Sequence, residues 1–125
     1  RIIHDEHIPD VLLEGRQDPI PYYKEASIFM MTSRSESWGL TLTEAQQMGL
    51  VSIAFDTYAS LYDIITDGEN GIIIEEGDID SYVKRMKILM SDKKLRQQMA
   101  KEAIASSQRF SQERIAEMWW ELLSK

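Results

Sequence analysis

Cysteine is missing from all 125 residues. That excludes a disulfide scaffold, a thiolate zinc site and a thiol nucleophile, and it fits a reducing compartment without proving one. Positive charge is also scarce: 14 Lys and Arg stand against 21 Asp and Glu, a formal net charge of −7. A broad nucleic-acid footprint is excluded, because neutralising phosphates takes clustered Lys and Arg. No apolar run approaches the roughly 20 residues that cross a bilayer, and none reads as a signal peptide. There is no internal repeat, low-complexity segment or interdomain linker. What remains is ordinary for a folded chain: 43% hydrophobic and 28% charged residues, in a length that suits one domain. The chain opens at Arg1 instead of Met, so a piece of a longer protein is expected.

Apolar runs and helical stripes alternate over the first two thirds. Val11-Leu12-Leu13 reads as a buried strand with a turn at Gly15. Asp18-Pro19 reads as a helix start, since Asp caps and Pro suits the first helical position. The helix runs to about Ala26, with Ile20, Tyr22 and Tyr23 inward. Ser27 to Thr32 is apolar without alternation, the mark of a strand covered on both faces. A polar loop from Ser33 to Gly39 leads to a helix from Leu40 to Met48, stopped by Gly49. Val51 to Phe55 and Ile72 to Ile74 are further strands, with a short helix from Leu61 to Ile65 and turns at Asp67-Gly68 and Asn70-Gly71 between them. Beyond Asp78 the pattern is helical. Ile79, Tyr82, Val83, Met86, Leu89 and Met90 mark one face. Asp92 caps a helix to about Gln108, with Leu95 and Met99 inward, and Ser111 caps a last one bearing Ile115, Met118, Trp119, Leu122 and Leu123. The seven Met residues read as core. So does one of the adjacent Trp119 and Trp120, which cannot share a helix face. The alternation predicts an α/β fold: a Rossmann-like parallel sheet, helices on both faces and a helical C-terminal segment.

In such sheets ligands bind beyond the carboxyl ends of the strands. The loops Gly15 to Asp18, Ser33 to Gly39 and Asp56 to Ser60 are therefore the candidates. The middle one runs into a helix start. Amides of Leu40 and Thr41 there suit a phosphate, and Gly39 allows close approach. Glu36 and Glu44 are placed to face one crevice, where a carboxylate can hold a vicinal diol. Each feature alone has a plainer reading: Gly39 as a turn, Glu36 and Glu44 as solvated carboxylates, Trp38 as packing. His4 and His7 lack further ligands, so no metal site is expected.

The loop resembles the nucleotide-sugar glycosyltransferases of the GT-B fold, in particular the large retaining family of group 1, family 4 type. That family carries Ser-x-x-Glu-Gly-Phe-Gly, then a helix with a second Glu. Here the pattern stands as Ser33-Arg34-Ser35-Glu36-Ser37-Trp38-Gly39 and Glu44-Ala45. The blocks Tyr22 to Phe29, Gly49 to Asp56 and Ile64 to Gly71 resemble the family's flanking segments in the same order. Ser37 replaces the usual Gly, Trp38 the usual Phe, and Val51 stands where Pro is common. A positive φ at Ser37 would be strained.

The resemblance implies that residues 1–125 are the C-terminal donor-binding domain, half of a GT-B enzyme whose N-terminal acceptor domain lies outside this chain. Glu36 would be catalytic, contacting the donor sugar. Glu44 would hold the ribose. Ser37, Trp38 and the amides of Gly39, Leu40 and Thr41 would meet the distal phosphate or sugar, and Gly15 and Arg16 would lie near the base. The donor would be a UDP-, GDP- or ADP-sugar, with no cofactor and no metal. The acceptor would be a glycan or lipid-linked hydroxyl, in polysaccharide, lipopolysaccharide or glycolipid synthesis. The resemblance also implies a cytoplasmic location, at the inner face of the membrane where many relatives work, although the acidic balance gives this part no membrane-binding patch. The diphosphate-neutralising Arg and Lys of the family lie upstream of Gly15 and are not in this chain, so the fragment alone is expected to be inactive. A sugar-nucleotide epimerase of the same architecture and a non-catalytic α/β binding module are the alternatives. The module reading is weakened because Asp56 lacks the paired acids of a receiver and Gly15 to Asp18 makes a poor flavodoxin-like phosphate loop.

Overall fold

The computed structural model describes Glu6 and residues 8–125. Helix α1 (Pro19–Glu25) begins as its sequence dictates: the Asp18 carboxylate accepts from the Ile20 amide and Pro stands in the first turn. Strand β1 (Ile28–Met31) follows, then α2 (Leu40–Gln47), β2 (Val51–Phe55), the short α3 (Leu61–Ile64) and β3 (Gly71–Ile74). Helices α4 (Ile79–Ser91) and α5 (Lys93–Ser107), a 3-10 turn (Gln108–Phe110) and α6 (Gln112–Leu123) complete the chain. Side-chain oxygens of Asp78, Asp92 and Ser111 each accept from a first-turn amide, so all three late helices start at a polar cap.

The three strands are parallel, in the order β1-β2-β3, with Met30 opposite Ile53 and Ile53 opposite Ile72. Successive side chains of β2 point to opposite faces, and both faces are covered. Val51 and Ile53 join Ile72, Ile74, Tyr82 and Leu89 of α4 and Met99 of α5 in one core. Ala54 joins Met31, Leu42 of α2 and Leu61 and Ile64 of α3 in the other. The Tyr82 hydroxyl donates to the Ile53 carbonyl at 2.8 Å, tying α4 to the centre of the sheet. The expected α/β sheet with helices on both faces is thus what the chain forms.

Several local expectations are corrected. Val11-Leu12-Leu13 is not a strand: all three residues are exposed and no described strand pairs with them. An apolar triplet becomes a strand only where a ladder receives its amides and carbonyls. Of α1 only Tyr23 is buried, while Ile20 and Tyr22 stay exposed. Among the described residues strand β1 lies at the edge of the sheet, and Met30 is half exposed instead of covered twice. Met31 and Met99 are core, but Met30, Met48, Met90 and Met118 are not. On α4, Ile79, Val83 and Met90 remain exposed, since among the described residues only Tyr82 and Leu89 of this helix are buried against the core. No residue of α6 is buried, and neither Trp119 nor Trp120 is core.

A polar hub around the buried Asn70 connects the end of α5 and the turn after it to α3 and to the turn before β3. Asn70 Nδ2 donates to the Ile64 carbonyl (3.1 Å) and Ser106 Oγ (2.9 Å), while its Oδ1 accepts from the Thr66 amide (2.8 Å). Arg109 donates to the same Ser106 Oγ at 2.9 Å and to the Asp63 carbonyl at 3.0 Å. This fixes the turn that carries Phe110.

Candidate functional site

At the carboxyl end of β1, residues 32–39 cross the sheet edge and enter α2. Gly39 makes the entry with φ +90°, a left-handed conformation that favours glycine. Its carbonyl accepts from the amides of Leu42 (3.0 Å) and Thr43 (3.3 Å). The cap has no side chain, so among the described residues the amides of Leu40 and Thr41 have no acceptor. No positive φ falls on Ser37, and the strain considered for that substitution does not arise.

The α2 helix carries Glu44 one turn in. Its Oε2 accepts from the Tyr23 hydroxyl at 3.4 Å. Burial first, then the charge and hydrogen bond of Glu44, raise the Tyr23 pKa, so the phenol stays a donor to the carboxylate. Trp38 meets Phe110 edge to face, ring centroids 5.3 Å apart, and the Arg109 guanidinium lies 4.9 Å from the Phe110 ring centre. Trp38, Leu40, Thr43 and Glu44 form one wall of an open groove of about 940 Å³; Phe110, Arg114, Ile115 and Met118 form the other.

The structure therefore brings Trp38, Leu40 and Glu44 to one groove. Glu36 lies outside its lining, exposed on the loop. It stands near Tyr58, where its charge adds to burial in raising the phenol pKa. Thr41 and Ser37 are exposed at the loop and first turn. Gly15 takes φ +68° with open space about it, and Arg16 is exposed beside it. His4 and His7 lie outside the described residues. Among the described residues, no three His, Cys, Asp or Glu side chains are grouped to hold a metal ion.

Sequence reasoning did not single out Tyr23 as the partner of Glu44, nor Phe110 as the support of Trp38. No local signal reveals either, because the partners are far apart in the chain. The loop after β2 was legible as a candidate loop but not residue by residue. In it Thr57, Tyr58 and Ser60 all reach the loop that carries Glu36.

Open parallel α/β sheets of this kind bind ligands beyond the carboxyl ends of their strands, which is where this loop and groove lie. The family model for glycosyl transferases group 1 matches residues 7–106, and the chain belongs to that family. It is 30% identical over 98 residues to an uncharacterized glycosyltransferase of Haemophilus influenzae, covering 78% of this chain and 28% of that protein. To the poly(glycerol-phosphate) alpha-glucosyltransferase of Bacillus subtilis it is 28% identical over 111 residues, 88% of this chain and 16% of the relative. The crystal structure of the pneumococcal O-GlcNAc transferase GtfA, in complex with UDP and GlcNAc, superposes with a TM-score of 0.84 at 26% identity, covering 98% of this chain and 26% of that one. The chain spans under a third of the length of each of these relatives. Among the described residues, no helix is long and apolar enough to cross a membrane.

Proposed function

We propose that this chain is the donor-binding domain of a glycosyltransferase that moves a sugar from a nucleotide diphosphate to a hydroxyl acceptor. The observation that carries the reading is the geometry of residues 33–44: a loop at the carboxyl edge of a parallel sheet turns at Gly39 into a helix whose first amides have no acceptor among the described residues and whose Glu44 faces a groove. Glu44, steadied by Tyr23, holds the ribose diol; Glu36 contacts the donor sugar; the amides of Leu40 and Thr41 meet the distal phosphate. Gly15 and Arg16 stand near the base, and Ser37 and Trp38 shape the loop. The donor is a UDP-, GDP- or ADP-sugar, and transfer needs no bound metal. The acceptor is a glycan or lipid-linked hydroxyl held by a second domain, with closure of the cleft excluding water. A solved relative with UDP and GlcNAc bound and a relative named for glucosyl transfer to poly(glycerol-phosphate) support this reading, as does a relative named for capsular polysaccharide synthesis in Staphylococcus aureus. The parent protein works in the cytoplasm, at the membrane face.

The test is calorimetry of the full-length protein with UDP, GDP and ADP. Glu44→Ala weakens nucleotide binding by about 1.5–3 kcal/mol, the worth of a charged hydrogen-bond partner. Glu36→Ala lowers turnover more than nucleotide affinity. Unchanged affinity in Glu44→Ala removes Glu44 from the site, and product analysis separates transfer from epimerisation.

A further inference from the structure

The loop that carries Glu36 is held from outside itself. Thr57 Oγ1 donates to the Ser33 carbonyl at 2.8 Å, and Ser60 Oγ donates to the Ser37 carbonyl at 2.7 Å. Between them, the Tyr58 ring lies beneath Gly39, so close that a Cβ at position 39 would meet its hydroxyl at 2.5 Å. Among the described residues that hydroxyl donates to Met31 Sδ alone, at 3.6 Å, a weak acceptor. The phenol therefore acts chiefly as a spacer. These three anchors bracket Glu36 on both sides in the sequence. Glu36 itself is exposed and makes no hydrogen bond to a described residue. Its position is consequently set by the backbone beneath it, and that backbone is set by residues 57–60.

The placement has a physical use. An exposed carboxylate on an untethered loop would have to be ordered at each binding event, at a cost in affinity. Both hydroxyls go to carbonyls of the other loop, although Thr and Ser readily bond to their own neighbouring backbone instead. We propose that Thr57, Tyr58 and Ser60 are positioning residues that pre-set the Glu36 loop for the sugar half of a nucleotide-sugar donor. The proposal rests on the donor-binding reading given above. It assigns the loop after β2 a role in discriminating the nucleotide sugar from the bare nucleotide, whereas α2 with Glu44 serves both alike.

The experiment uses the full-length protein and two readouts. Amide hydrogen exchange over residues 33–40 reports the loop; calorimetry with UDP, GDP and ADP and with their glucose esters reports the site. In the double variant Thr57→Val, Ser60→Ala, exchange of residues 33–40 quickens while that of α5 is unchanged. Affinity for the glucose ester falls about tenfold, the combined worth of two neutral hydrogen bonds, while affinity for the parent nucleotide stays within about twofold. The conservative pair Thr57→Ser, Ser60→Thr restores both. Equal losses for nucleotide and ester, or faster exchange with no change in ester affinity, overturn the positioning role. Unchanged exchange overturns the brace itself. A Glu44→Ala variant run beside these separates the failures: if it leaves nucleotide affinity intact, the donor-site reading falls, while exchange still judges the brace.

Discussion

Strand β2 and helix α6 both carry an apolar pattern, yet they end in opposite surroundings. Val51, Ser52, Ile53 and Ala54 of β2 are all buried, flanked by a strand on each side and helices above and below. Helix α6 carries Ile115, Met118, Trp119, Leu122 and Leu123, and buries none of its residues; Trp119 is 58% and Trp120 74% exposed. An apolar pattern states that a face favours burial. It does not state what lies opposite. For β2 the partners are the adjacent strands and crossover helices, guaranteed by parallel topology. For α6 the described residues offer only the rim of the groove next to Phe110.

The contrast can be broken by measurement. Ile53→Ala removes a fully buried side chain from the centre of the sheet, so urea denaturation should show a loss of about 2–5 kcal/mol. Gly39→Ala comes next. It forces a left-handed backbone on an L residue, about 1–2 kcal/mol, and drives a methyl onto the Tyr58 hydroxyl. Tyr58→Phe in the same chain should recover part of that loss; no recovery would mean that the hydroxyl yields freely and the spacing beneath Gly39 is slack. Trp120→Ala, at the exposed end of α6, should change the stability of this chain by no more than about 0.5 kcal/mol. A loss at Trp120 matching that at Ile53 would show that α6 is packed after all and would erase the contrast.

The same division runs through what could be read before the structure. Helix starts were legible because Asp18, Asp92 and Ser111 satisfy amides within their own first turns. Strands β2 and β3 were legible because short runs of Val, Ile and Phe between turn residues have few other uses. The loop from Ser33 to Gly39 and Glu44 were legible as a motif, and Gly39 fulfils the conformational role its position suggested. The triplet Val11-Leu12-Leu13 misled, because the same short apolar signal serves a paired strand and an exposed segment alike. The burial of one tryptophan in α6 misled for a related reason: helical spacing selects a face without supplying a neighbour.

By itself, then, the order of residues determined the alternation of elements, from which a parallel sheet is expected, together with the caps and the loop on which chemistry would stand, since caps and periodicities rest on bonds within a few residues. Only the tertiary structure decided that Tyr23 meets Glu44, that Phe110 backs Trp38, and that Thr57, Tyr58 and Ser60 hold the Glu36 loop. Those pairs join residues some 20 to 70 positions apart. Their meeting depends on how three strands register and two crossovers fold back, which no local pattern encodes.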